Sequence, residues 1–171
     1  MTEEHDLVAL ARRAIERFVC DGVILSPPEA LSDEMKQRAG TFVSLHCDEE
    51  LRGCIGTIEP TCPNVAAEII ANAISAATRD PRFPAVCREE LANLDISVDV
   101  LTEPEPISSL EELDPKRYGV IVQKGSRRGL LLPNLEGVDT PRQQVTIALR
   151  KAWIDPDEPY QMYRFEVIRY H

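Results

Sequence analysis

The heptapeptide Leu51-Arg52-Gly53-Cys54-Ile55-Gly56-Thr57 sets a thiol between two glycines, with a guanidinium two residues before it, in a stretch of strand character. Glycine inside a strand weakens it, because it packs no side chain and loses more entropy on ordering. Its usual meaning there is a bulge, or the close approach of another backbone or a ligand. Two readings stand. In one, Gly53 and Gly56 open a small-molecule site at which Cys54 is the reactive or binding group. In the other, the glycines admit a helix and Cys54 is a small buried hydrophobe. A nucleophilic cysteine needs thiolate character, from a nearby cation or a helix N-terminus. Alternation along a regular strand puts Arg52 on the face of Cys54, where it would supply that charge. A bulge at a glycine would break the alternation.

Other residues offer further chemistry. Asp80-Pro81-Arg82-Phe83 follows a long helix, and Asp80 with Arg82 is either a loop salt bridge or a base and an electrophile facing the Cys54 strand. Cys62 precedes a helix start, where the dipole favours an anion, though a loosely chosen N-cap-region residue explains it as well. His46 is the one histidine inside the body of the chain. Opposite Cys54 on a hairpin it would form a Cys–His pair, but one residue of slip moves it to the other face and leaves a surface histidine. Lys124, Arg127 and Arg128 cluster on a hairpin tip, either solvated or set to hold a phosphate or carboxylate. There is no phosphate-binding P-loop, dinucleotide fingerprint or His-Glu-x-x-His.

Composition narrows the class. The 171 residues are enough for one substantial core, and 43% hydrophobic with 28% charged residues is the balance of a globular protein. No apolar run reaches the length of a bilayer span, and the acidic start Met1-Thr2-Glu3-Glu4 is unlike a secretory signal. Five cysteines, odd in number and without a Cys-x-x-Cys, read as reduced thiols of a cytoplasmic protein and make a structural zinc site a poor fit. A formal net charge of −10 disfavours nucleic acid as a partner.

The elements follow from periodicity. Leu7, Leu10, Ala11, Ala14, Ile15 and Phe18 recur at helical steps over 3–20, with Thr2 as a candidate N-cap and Asp21-Gly22 as the stop. A hairpin is predicted from 41–47 and 52–59, then a helix started by Pro63 and running to about Thr78. Alternating Ile96, Val98 and Val100 give a half-buried strand over 94–101. Glu103-Pro104-Glu105-Pro106 forms a rigid seam. A second hairpin (119–123 with 128–132), a helix capped by Thr140 with Pro141 first, and a closing strand over 162–170 complete the chain. The halves look alike: Arg52-Gly53-Cys54 is echoed by Arg128-Gly129-Leu130, and Pro63 by Pro141. Two ββαβ-like units, about 41–102 and 117–170, would share one antiparallel sheet in a single domain. Cys54 has no counterpart thiol, so only the first half would carry chemistry.

The heptapeptide, with Asn72-Ala73-Ile74-Ser75-Ala76-Ala77, Asp80-Pro81-Arg82-Phe83-Pro84, Gly125-Ser126-Arg127-Arg128-Gly129-Leu130 and Tyr163-Arg164-Phe165-Glu166-Val167, resembles the AMMECR-type family. The likeness is closest to its branch named AmmeMemoRadiSam system protein A and covers roughly residues 5–170. It implies an α+β fold, three-layer α/β/α on a mainly antiparallel sheet built from two duplicated ββαβ-like repeats. It places the family's presumed site on Arg52, Gly53, Cys54 and Gly56. It also implies a pathway shared with Memo-like and radical-SAM proteins, and brings no reaction with it. The resulting expectation is an enzyme or enzyme component acting on a small anionic metabolite. Cys54 and Arg52 would be catalytic, and Gly53, Gly56, Asp80 and Arg82 would hold the substrate. The alternative is a non-catalytic module whose glycine strand docks a partner.

Overall fold

The structure, a computed structural model, describes residues 3–171. Helix α1 (Asp6–Asp21) buries Leu7, Leu10, Ala11, Ala14 and Ile15 along one stripe, the pattern that makes a helix pack on a sheet. Its N-cap is His5, whose Nδ1 accepts from the Leu7 N–H at 3.2 Å, and Gly22 at φ 67° ends it. The expected cap Thr2 lies outside the described residues. Helix α2 (Asp33–Lys36) is a single turn capped by Ser32. Strands β1 (Thr41–Cys47) and β2 (Glu50–Thr57) form a hairpin whose two turn residues, Asp48 and Glu49, lie at φ 52° and 67°. Positive φ at both central positions is what a two-residue turn matched to the strand twist requires. Helix α3 (Val65–Thr78) is capped by Asn64, so Pro63 stands before the cap and not at the first helical position.

A 3-10 turn at Arg88–Asn93 leads to β3 (Asp95–Leu101). Val43 and Leu45 of β1 with Ile96 and Val98 of β3 are at most 2% exposed, in one apolar cluster with α1 and α3. The helices therefore cover one face of this sheet and leave the residues between on the other.

Strand β4 (Glu105–Ile107) precedes a 3-10 turn at Leu110–Glu112 with a Ser109/Glu112 capping box. Strands β5 (Gly119–Lys124) and β6 (Arg127–Leu131) form the second hairpin. Helix α4 (Pro141–Ala152) has Thr140 as N-cap, Gln143 completing a capping box and Pro141 inside its start. Val120 and Val122 pack with Val145, Ala148 and Leu149 in a second apolar cluster. The chain ends in β7 (Gln161–Phe165) and β8 (Val167–Tyr170).

The protein is α+β with antiparallel pairing. The expectation of one shared sheet is corrected: the described strands form two four-stranded sheets, ordered β2-β1-β3-β8 and β4-β7-β5-β6. The cause lies in the closing segment. Its expected single strand is broken at Glu166, which exchanges backbone and hydroxyl hydrogen bonds with Thr102 at 2.9 and 2.8 Å. Residues before the break pair with β5, and those after it lie beside β3. Contacts accordingly gather the chain into two compact units, one up to Leu101 and rejoined by Ile168–His171, the other Thr102–Val167. Within each, a hairpin is followed by a helix and then by a strand pairing with the hairpin's first arm, so β2-β1-β3 corresponds to β6-β5-β7. No described helix is long and apolar enough to cross a membrane.

Candidate functional site

Opposite the helices, the first sheet carries a polar row. Ser44 pairs with Cys54 on one side and with Ser97 on the other, and the Cys54 Sγ lies 3.3 Å from the Ser44 Oγ. Strand β2 is an edge, so the outward backbone groups of Cys54 need partners from elsewhere. The loop after α3 provides them. The Asp80 carboxylate accepts from the Cys54 N–H at 3.0 Å, and Arg82 Nη2 reaches the Cys54 carbonyl at 3.4 Å.

Asp80 is also the anchor of Arg82, accepting from its Nε at 3.0 Å and Nη2 at 2.8 Å. These bonds from the guanidinium, with those from the Cys54 and Arg82 N–H groups, hold the Asp80 carboxyl well below the usual carboxylate range. The Asp80 side chain is 2% exposed, whereas Arg82 is 56% exposed. The same construction recurs on the other flank. Asp99 accepts from Arg169 Nε at 2.8 Å and Nη2 at 2.9 Å, with the carboxylate 11% and the guanidinium 59% exposed. Each guanidinium is held above its ordinary pKa first by its own carboxylate, with a smaller contribution from the Cys54 sulfur. Arg82 thus borders Cys54 directly, and Arg169 is tethered in the same way on the same face of the sheet.

Arg52 is not one of them. The ladder shifts between Leu45 and His46, pairing Leu45 with Gly53 and His46 with Leu51, which leaves Arg52 as the bulged residue. Its Nε and Nη2 donate to Glu90 at 2.9 and 3.1 Å, and this pairing, with the Cys87 N–H, draws the Glu90 carboxyl down to about 2. The expected Arg52 cation for Cys54 is therefore turned away to Glu90, and Arg82 is the guanidinium that reaches the Cys54 backbone. The glycines also differ from expectation. A β-carbon on Gly53 would collide with the Ala76 carbonyl of α3, and one on Gly56 with the Phe42 ring. At both glycines the room that a side chain would need is taken by the protein itself.

His46 pairs with Leu51 and Asp95 across the strands, so it is not opposite Cys54. Cys62 contacts Thr61 and Glu68, and burial pushes its thiol up. Lys124 and Arg127 share Glu158 at 2.9 and 3.1 Å, so these two of the three hairpin-tip cations serve a salt bridge. Among the described residues no three His, Cys, Asp or Glu side chains gather as a metal ion requires. Sequence reasoning missed Ser44, Ser97, Asp99 and Arg169. The alternating Asp95, Ser97 and Asp99 are a visible signal, whereas Arg169 lies past a strand break that the sequence barely announces.

A protein of Thermotoga maritima is 54% identical over 173 residues, spanning 99% of both chains. A protein of Clostridium acetobutylicum is 49% identical over 170 residues, which are 98% of this chain and 36% of that one. The crystal structure of an uncharacterised protein from Pyrococcus horikoshii matches with a TM-score of 0.76 at 37% identity, covering 95% of this chain and 88% of the other. With the AMMECR1 family pattern matching residues 8–170, the chain belongs to the AMMECR1 family.

Proposed function

We propose that the open face of the first sheet binds a small anionic metabolite, with Cys54 against its reacting end and Arg82 and Arg169 holding its charge. The protein is then an enzyme or enzyme component. The observation that carries this reading is the pair of guanidiniums, each fixed from behind by a buried carboxylate and more than half exposed in front. Tethering removes much of the entropy a free arginine side chain loses on gripping a ligand, and Nη1 of each has no hydrogen bond among the described residues. Asp80 positions both the cation and the Cys54 backbone. Arg52 acts through the bulge it fills, as a positioning residue.

The likeness to the AmmeMemoRadiSam branch supports a cytoplasmic pathway with Memo-like and radical-SAM proteins. The Clostridium acetobutylicum relative, in which the matching segment is 36% of the chain, supports a domain that works beside further polypeptide. A docking module is the second reading, favoured by the exposed Leu51 and Ile58 at the two ends of the edge strand β2. Native mass spectrometry after incubation with a metabolite extract separates the two. The anion reading expects an acidic small molecule retained by the wild type and lost in Cys54→Ala and Arg169→Met. Identical spectra for all three proteins would overturn it.

A further inference from the structure

A cavity of about 200 Å³ opens on the same sheet face, lined by His46, Glu49, Asp95, Ser97, Arg169 and His171. That is room for several waters or a small metabolite. Its charges are of both signs, and they are separated. Asp95, Ser97 and Asp99 follow one another on one face of β3, about 7 Å apart at each step. Arg169 is anchored on Asp99 and lines the cavity beside Ser97, which puts the guanidinium at one end. At the other end His46 pairs with Asp95 across the strands, and Glu49 stands on the turn just beyond Cys47. Neither Asp95 nor Glu49 has an ion-pair partner among the described residues.

We infer that the ligand of this face is a small zwitterion of the α-amino-acid type, its carboxylate on Arg169 and its ammonium on Asp95 and Glu49. This rests on the reading of Arg169 as an anion-holding group and adds the other half of the ligand. The reason is charge matching. Asp99 already offsets Arg169, so a simple carboxylate would gain hydrogen bonds at one end and meet two unpaired carboxylates at the other. An amine without an acid would satisfy the acidic end and confront the guanidinium. Only a molecule bearing both groups satisfies both ends.

Calorimetry on the full chain tests this, with the L-α-amino acids each set beside its des-amino acid and its decarboxylated amine. The expected result is at least one amino acid bound tenfold or more tighter than both of its partners. Asp95→Asn and Glu49→Gln should each erase the preference over the des-amino acid, and Arg169→Met the preference over the amine. A des-amino acid binding as tightly as its amino acid, unaffected by Asp95→Asn, would overturn the zwitterion and leave the anion reading standing. Binding by amines alone, indifferent to Arg169→Met, would overturn both. No binding by any amino acid would overturn the zwitterion, with the anion reading then judged by the native spectra.

Discussion

At the scale of single residues, the heptapeptide separates into distinct jobs. Cys54 faces the polar side of its sheet, Gly53 faces α3, and Arg52 is tied sideways to Glu90. That Gly53 and Cys54 face opposite sides was legible from strand alternation. That Arg52 serves Glu90 was not, since one bulged residue redirects a side chain and no periodicity announces it. The Arg52–Glu90 pair has a consequence for acid stability. The Glu90 carboxyl titrates near 2 in the folded protein against an ordinary 4.5, so the pair contributes in full above about 4.5 and is lost as pH falls toward 2. Glu90→Gln should cost on the order of 1–2 kcal/mol at pH 7, allowing for solvent screening at a partly exposed carboxylate. Urea titrations should show the gap to wild type closing between about pH 4.5 and 2. A gap independent of pH would mean that the ion pair contributes nothing.

At the scale of elements, the recurring Arg-Gly is a packing device in both units. A β-carbon on Gly129 would collide with the Ala148 carbonyl of α4, as one on Gly53 would with Ala76 of α3. Gly53→Ala and Gly129→Ala should each destabilise by about 1–3 kcal/mol through overpacking, measured by thermal or urea unfolding. Neutral substitutions would show that strand and helix separate freely. The turn Asp48-Glu49 gives a prediction of opposite sign. Glu49 occupies the left-handed region that favours glycine, so Glu49→Gly should raise stability by about 0.5–1 kcal/mol, while loosening any ligand held in the cavity. A loss of stability would mean that the glutamate side chain supports the hairpin. Hairpins, long helices and the likeness of the halves were readable because each depends on local periodicity and turn chemistry. Which sheet a strand joins is not local, and the break at Glu166 leaves only a faint local sign, the apolar pair Val167-Ile168 that shifts the alternation of the closing segment.

At the scale of the whole molecule, a net charge of −10 repels anions, so any attraction for them at Cys54 has to be local. It would come from the outward N–H groups of the two tethered guanidiniums, whose carboxylates lie behind them, and the other thiols offer contrasts. Cys87 is exposed, but its thiol is pushed up by the carboxylates of Glu89 and Glu90, and that of Cys62 by burial and Glu68. Alkylating the native protein with neutral iodoacetamide and with anionic iodoacetate, and mapping all five cysteines by mass spectrometry, reads the sign of the field at each sulfur. The rate ratio of iodoacetate to iodoacetamide should be highest at Cys54 and severalfold lower at Cys87. At Cys54 it should fall in Arg82→Met, in Arg169→Met and at high salt. A Cys54 that labels only in denaturant, or with the same ratio as Cys87, would contradict an anion site on this face.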